Sequence, residues 1–285
     1  MPGNNSGPLV SVLMTAYNRQ KYLAEAIESV LASTYENFEL LISDDASIDN
    51  TVKIAREYEA KDSRVKVYEN EKNLGQFPNR NKAAGLARGW LLISADSDDT
   101  IYPDAISYIV EQFMRNPEAK FSTIYHYNDI EFPTVLTPEQ SIRTHFFKQS
   151  FLRIGPSGTV IERAYLNSIG GFPEKYGPVG DMFYNLKAAA NTNVILLPYI
   201  YFNYRRHDDQ EINNKYSYLC NGHRYLVDIM QFPELPLSGT ERKKILQKSA
   251  RNNIRSFISH IRNTGEISRT IKALRLSGIT LLDLI

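Results

Sequence analysis

Short apolar runs separated by amphipathic stretches fill the first hundred residues. The run over 9–14, Leu-Val-Ser-Val-Leu-Met, reads as a buried strand, and 15–19 as the loop after it. Leu23, Ala26, Ile27, Val30 and Leu31 then recur at i, i+3, i+4, i+7 and i+8, which marks one face of a helix. The same reading predicts a strand over 38–42, a helix over 51–59 and a strand over 64–68. A turn at Asn73-Leu74-Gly75, a helix over 79–87 and a strand over 90–93 follow. Strand and helix alternating at this length imply a parallel sheet with helices on its faces. Ligands of such sheets lie outside the carboxyl ends of the strands. Three polar segments fall at those ends: 15–18, Asp44 with Asp45, and 96–99.

Beyond Pro103 the rhythm changes. A helix is predicted over 105–114 and strands over 120–127 and 194–197, with irregular Gly/Pro-rich stretches between them. After Tyr216 the pattern is helical throughout. The expected organisation is a flexible leader over 1–8, a half over 9–102 that carries the three polar strand ends, a second half of the same domain over 103–212 that supplies a second substrate's pocket, and a helical extension over 213–285.

The chain of 285 residues is long enough for a full core. Its 42% hydrophobic and 23% charged content is that of a soluble globular protein rather than a disordered one. A net charge of +1 hides an asymmetry: from Lys215 onward 12 Lys/Arg face 5 Asp/Glu, a net of +7, which leaves −6 on the body. A basic amphipathic tail is suited to an anionic lipid surface, to packing on the acidic body, or to a homodimer contact. No nucleic-acid partner is expected. Cys220 is the single cysteine, so an intrachain disulfide is excluded and a reducing compartment fits best. No signal-peptide pattern opens the chain, and no run approaches the roughly 20 apolar residues of a membrane span. A cytoplasmic protein is expected, with peripheral contact at the inner face of the membrane left open.

Candidate chemistry centres on Asp96-Ser97-Asp98-Asp99, which ends the apolar run at 90–93. Three carboxylates within four residues repel one another and resist burial. A hard divalent cation, Mn²⁺ or Mg²⁺, removes that conflict when it also holds a polyphosphate. An acidic turn at a strand end is the plain alternative. Tyr17 could lie against a base with Thr15 at its edge, or simply pack. Asp45 could accept the N3–H of a uracil, while Ser47 or Asp49 caps the helix that follows. Neither GxGxxG nor GxxxxGK[ST] occurs, so the metal would carry most of the phosphate charge, with Arg80 as an auxiliary cation or a plain surface arginine.

Together these segments resemble the family 2 glycosyltransferases. The likeness rests on 10–18 (Val-Ser-Val-Leu-Met-Thr-Ala-Tyr-Asn), on 41–51 around Asp44 and Asp45, on Asn73-Leu74-Gly75 with Arg80-Asn81, and on Asp96-Ser97-Asp98-Asp99. Gly170-Gly171-Phe172-Pro173, Gly180-Asp181 and Tyr204-Arg205-Arg206-His207 extend it to about His207. The resemblance implies an inverting enzyme of the GT-A fold, an α/β architecture with a mostly parallel Rossmann-like sheet. It also implies a nucleotide-sugar site formed by Thr15, Ala16, Tyr17, Asn18, Asp45, Arg80, Asp96, Ser97 and Asp98. Within that set Thr15, Tyr17 and Asp45 would meet a uridine, and Asp96 and Asp98 the ribose and metal. Asp98 or Asp99 would be the direct metal ligand, His207 a further ligand or a diphosphate contact, and Asp181 the catalytic base. His207 in a solvated basic patch and Asp181 as a helix N-cap are the structural alternatives.

Three departures bear on function. Ala16 stands where the family commonly has proline, and Met182-Phe183-Tyr184-Asn185 follows the base without the usual acidic or aromatic pattern. The Gln-x-x-Arg-Trp motif of processive polysaccharide synthases is missing, so transfer of a single hexosyl unit in polysaccharide biosynthesis is expected rather than polymer extension. The donor would be a UDP-sugar and the acceptor a glycan or lipid-linked saccharide. A sugar nucleotidyltransferase and a non-catalytic nucleotide-sugar-binding module are the competing readings.

Overall fold

A computed structural model describes residues 7–208, 210, 214–280 and 283. The leader expected over 1–8 therefore lies outside the described residues as far as residue 6. In chain order the elements begin β1 (Val10–Ala16), α1 (Leu23–Leu31), β2 (Phe38–Asp44), α2 (Thr51–Lys61), β3 (Val65–Glu69), α3 (Gln76–Leu86) and β4 (Leu91–Ser94). They continue with β5 (Thr100–Ile101), α4 (Ala105–Arg115), β6 (Ala119–Ile124), β7 (Thr134–Leu136), α5 (Pro138–Phe147), β8 (Thr159–Glu162), α6 (Arg163–Ser168) and α7 (Gly180–Ala189). The last are β9 (Asn193–Leu197), β10 (Phe202–Asn203), α8 (Lys215–Asn221), α9 (Arg224–Ile229), α10 (Gly239–Thr264) and α11 (Ile267–Leu276).

These elements form two compact units, and the expected boundaries at 102 and 212 do not coincide with them. A sheet unit takes the chain through Leu136, then 154–172 and 192–205; a helical unit takes 137–153, 173–191 and 206–285. The reason is strand pairing. β6, β8 and β9 all lie beyond residue 102 but hydrogen-bond into the sheet that β1–β4 begin.

The eight-stranded sheet runs β3-β2-β1-β4-β8-β6-β9-β7. Four pairings are parallel, β1 with β2 and β4, β2 with β3, and β6 with β9. Three are antiparallel, and two of these are made by β8, which inserts between β4 and β6. The sheet is thus mostly parallel, as expected, with two antiparallel strands, β8 and the edge strand β7, that the sequence pattern did not reveal. β1 lies between β2 and β4, so the chain leaves β1 toward one side and returns on the other. That is the topological switch point at which such sheets bind ligands.

Helix faces follow the predicted spacing. Leu23, Ala26, Ile27 and Val30 of α1 are buried, as are Ala105, Ile106, Ile109, Val110 and Phe113 of α4. They share one core with Val12, Met14, Leu40, Ile42 and Ile93 of the sheet. Several boundaries moved: the strand expected over 120–127 ends at Ile124, and the one expected over 38–42 runs on to Asp44. β1 continues through Thr15 and Ala16, because both pair with Ser43 and Asp44 of β2. α3 starts at Gln76, ahead of the predicted 79, and Pro78 is accommodated because the first turn needs no N–H from it.

In the helical unit Leu219 and Cys220 of α8 pack with Phe257 of α10 and Ala273 of α11. α10 is defined at both ends, by a capping box between Ser238 and Glu241 and by Gly265 in the left-handed conformation (φ 71°). Among the described residues no helix is long and apolar enough to cross a membrane.

A buried charge ties the three central strands together. Glu39 in β2 is 3% exposed and accepts from Ser11 Oγ of β1 (2.6 Å) and from the Arg88 N–H (2.8 Å), Nε (2.9 Å) and Nη2 (2.8 Å). The next residue, Gly89, donates its N–H to Ser11 Oγ at 2.8 Å, and a Cβ there would collide with the Ser11 backbone. Burial by itself would raise the Glu39 carboxyl, but these donors outweigh it and hold the group below its usual range. A folded-state value below the unfolded one gives stability that is present above the unfolded pKa and lost as pH falls through the folded one. Glu39→Gln is therefore expected to cost about 1–3 kcal/mol in urea denaturation at neutral pH, with a smaller penalty in acid where the wild-type carboxylate is itself protonated. Equal denaturation midpoints at neutral pH would contradict this role.

Candidate active site

The carboxyl ends of β1, β2 and β4 bring three polar loops side by side in the sheet unit. Ala16 pairs with Asp44 across β1 and β2, and Leu13 pairs with Ser94 across β1 and β4. Cross-links then fix the loops to one another. Asn18 donates its N–H to Ser47 Oγ (2.8 Å) and accepts from the Ile48 N–H (3.0 Å). The Arg19 N–H reaches Thr51 Oγ1 at 2.7 Å, and Ser97 Oγ donates to the Thr15 carbonyl at 2.8 Å. Asn18 (φ 54°) and Ala46 (φ 62°) are the non-glycine residues with positive φ among those described, and both sit in this crevice. Backbone strain held by surrounding hydrogen bonds is typical of functional sites.

Each carboxylate of the acidic cluster has a different counterpart. Asp96 accepts from Arg80 Nη2 (3.1 Å) and from Ser157 Oγ (2.7 Å). Asp98 is ion-paired with Arg19 Nε at 3.2 Å. Asp99 accepts the backbone N–H of Arg205 (2.9 Å), and the Arg205 guanidinium binds the Asp98 carbonyl (3.0 Å) and Glu25 (2.6 Å). Burial pushes the Asp99 carboxyl up to about 7, with Asp96 and Asp98 adding to the rise and the Arg205 N–H opposing it. Its Oδ2 is buried without a hydrogen-bond partner.

Exposure divides the expected nucleotide-sugar and metal-binding residues of this crevice into two groups. Tyr17 is 44% exposed, and Thr15, Asn18, Asp96 and Asp98 are half-buried, so a ligand can reach them. Ala16, Asp45, Arg80, Ser97 and Asp99 are buried. Arg80, expected as a direct auxiliary cation, is 1% exposed and lies under Asp96, so its charge reaches the surface through the carboxylate it holds. Asp45 accepts from Asn70 Nδ2 (2.7 Å) and the Leu74 N–H (2.8 Å) on one oxygen, and from the Gly75 N–H (2.8 Å) on the other. It thus organises the 73–75 turn, a task the sequence did not disclose. Asp49 does hold the start of α2, through the Thr51 N–H at 2.9 Å, although the N-cap position itself is Asn50.

Arg19, Ser157 and Arg205 have site contacts that the sequence reading did not assign. Arg19 directly follows a motif segment and is the nearest cation to it in sequence, which was the available signal. Ser157 had none, because nothing in the chain announces β8.

Asp181 and His207 belong to the helical unit. Asp181 lies in the first turn of α7, one residue inside it, with Val179 at the N-cap, so it is not the cap itself. The positive end of the helix dipole favours a carboxylate there. The His207 N–H donates to Gln210 Oε1 at 3.1 Å. Among the described residues no three His, Cys, Asp or Glu side chains form a group able to hold a metal by themselves. Mg²⁺ and Mn²⁺ sites that bind substrate phosphates need only one or two carboxylates from the protein. Asp98 and the unpartnered Oδ2 of Asp99 fit that pattern.

Comparison with known proteins identifies the family and the fold. The family model described as glycosyl transferase family 2 matches residues 11–168, and the chain belongs to that family. Among curated relatives, an uncharacterized glycosyltransferase of Methanocaldococcus jannaschii is 33% identical over 166 residues, 55% of this chain and 57% of its own. Chondroitin synthase of Escherichia coli is 38% identical over 109 residues, 38% of this chain and 16% of that enzyme. The chain therefore spans a little over half of the first of these and a small part of the second. Among solved structures, Staphylococcus aureus TarS in complex with UDP-GlcNAc superposes with a TM-score of 0.72 at 21% identity, covering 93% of this chain and 79% of that one. A mannosyltransferase of Pyrobaculum calidifontis, holding GDP-mannose and Mn²⁺, has a TM-score of 0.65 at 16% identity and covers 97% and 77%. These likenesses show the GT-A fold.

The Asp45 contacts give a direct test of local order. An amide in place of the carboxylate would set N–H against N–H at one oxygen position, so Asp45→Asn is expected to destabilise the protein by about 1–3 kcal/mol. Thermal denaturation of the ligand-free protein reads this, and an unchanged midpoint would show that the 73–75 turn does not depend on Asp45.

Proposed function

We propose that the protein is an inverting, metal-dependent glycosyltransferase that moves one sugar from a UDP-sugar to a hydroxyl of a saccharide or lipid-linked saccharide. The observation that carries this reading is the convergence of 15–18, Asp44/Asp45 and 96–99 at the β1/β4 switch point, within a family 2 chain. Exposed Tyr17 supplies a face for the uracil ring, and Asp45 Oδ2, which accepts a single N–H within the protein, retains a lone pair for the uracil N3–H. Asp96, oriented by Arg80 and Ser157, would bind ribose hydroxyls. A divalent cation, Mn²⁺ or Mg²⁺, would be held by Asp98 and Asp99 and would neutralise charge on the departing diphosphate. Arg19, which pairs with Asp98, would compensate that carboxylate when no cation is bound.

Inversion requires one in-line displacement. The acceptor oxygen bonds to the anomeric carbon as the bond from that carbon to the diphosphate breaks, and the hydroxyl proton passes to a base. Asp181 is assigned that task, supported by the Gly180-Asp181 match and by its place in the first turn of α7. The exposed Ile267, Ile271 and Leu274 of α11, beside Arg269, Lys272 and Arg275, support peripheral contact with anionic lipid.

Incubation with a panel of nucleotide sugars and Mn²⁺, followed by mass spectrometry, tests the reading. Release of nucleoside diphosphate from one donor is expected, and release of pyrophosphate from a nucleoside triphosphate would point to a nucleotidyltransferase instead. Asp181→Asn is expected to keep donor affinity while transfer falls by about 10²–10⁴-fold, the usual contribution of a positioned base. Undiminished transfer by that variant would remove Asp181 from the mechanism. Asp98→Ala is expected to abolish the metal-dependent part of UDP binding in calorimetric titrations, leaving any metal-independent part in place.

A further inference from the structure

A groove of about 680 Å³ runs along α10 within the helical unit. One face of α10 forms its floor, from Ile245 to Thr264, a distance of about 28 Å at the α-helical rise. The side chains presented there are mainly short and polar, among them Ser249, Asn252, Ser256 and Asn263. Phe146, Tyr218 and Tyr225 lie on the groove walls. Amide and hydroxyl groups that both donate and accept, interleaved with aromatic faces, suit a ligand with many hydroxyls and apolar ring faces. Asn253, 8% exposed, also lines the groove.

The charge of the lining has one sign. Arg153, Lys215 and Lys248 face the groove, and no aspartate or glutamate lines it among the described residues. Among the described residues none of the three cations is in an ion pair. His145, whose Nδ1 accepts the Leu152 N–H, is buried beside Arg153 and held neutral. The groove also reaches Met182, the residue that follows Asp181 on α7.

We propose that this groove binds the acceptor, and that the acceptor is an acid-bearing saccharide chain laid along α10 with its reactive hydroxyl near Asp181. This rests on the glycosyltransferase reading above. The three cations would pair with carboxylate or phosphate groups on the chain, while the Asn and Ser side chains take its hydroxyls.

Calorimetric titration of the whole protein with three oligosaccharides of equal length tests the assignment. One carries glucuronate, one is a phosphorylated manno-oligosaccharide, and one is a neutral cello-oligosaccharide. At least one anionic probe is expected to bind about tenfold more tightly than the neutral one and to weaken as salt is raised. The tighter anionic probe identifies the acid group. Lys248→Glu is expected to lower that affinity about tenfold, and Lys248→Arg to retain it, with melting temperatures reporting that both variants fold. Equal binding of the neutral probe, no binding of either anionic probe at millimolar concentration, or wild-type affinity in Lys248→Glu would each overturn the proposal. The readout needs no turnover, so the two readings fail separately. Undiminished transfer by Asp181→Asn removes the base and leaves the groove; lost selectivity for anionic probes removes the groove and leaves the base.

Discussion

Three carboxylates within four residues repel one another, and the sheet unit is arranged to answer each of them separately. Asp96 meets Arg80 from α3 and Ser157 from the turn before β8, Asp98 meets Arg19 from the loop after β1, and Asp99 meets the Arg205 backbone after β10. These partners lie 16, 61, 79 and 106 residues away in sequence. The antiparallel strand β8 and the small β5·β10 ladder bring two of them into place. A wholly parallel sheet built from the first hundred residues would leave Asp96 and Asp99 without those two contacts. The departure from a simple alternating architecture is thus tied to the electrostatics of one acidic turn.

Around that turn the residues divide between reaching and holding. Tyr17, Thr15, Asn18, Asp96 and Asp98 present surface to a ligand, Arg80 and Ser97 are buried and hold the loops, and Asp45 and Asp99 are buried yet each keeps an acceptor lone pair for the proposed uracil and cation. The buried group spends its hydrogen bonds on the loops: Asp45 on the 73–75 turn, Ser97 on the Thr15 carbonyl, Arg80 on Asp96. Charged groups fixed in this way before a ligand arrives need little rearrangement on binding, which is how a rigid scaffold makes a polar site effective. Glu39 extends the same principle one layer deeper, where it joins β1 and β2 to the entry of β4.

The helical unit shows how a charge imbalance visible in the sequence acquires meaning from periodicity. The net +7 from Lys215 onward is not spread evenly over α10 and α11. Lys248 lies on the same face as Ser249, Asn252 and Ser256, while Ile267, Ile271 and Leu274 form an exposed apolar line on α11. A basic, amide-rich face and a basic, apolar face suit different ligands, and composition alone merges them into one number.

Much of the sheet unit was legible in the sequence, because hydrophobic periodicity reports burial and local hydrogen bonding, and both act over a few residues. The order of β1 to β4, the buried face of α1 and the placement of 15–18, Asp45 and 96–99 at strand ends all follow from such local signals. The sequence by itself also determined the chemical types at the site, since a carboxylate cluster after an apolar run has few uses. What it could not determine were contacts set by long-range pairing. β8, a four-residue strand after a Gly/Pro stretch, has no pattern of its own and exists because β4 and β6 leave a gap between them. Only the tertiary structure decided that Arg80 lies beneath Asp96, that Asp45 organises a turn, and that Arg19 and Arg205 flank the acidic cluster. The physical reason is that a side chain's role depends on which neighbours exclude water from it, and those neighbours come from anywhere in the chain.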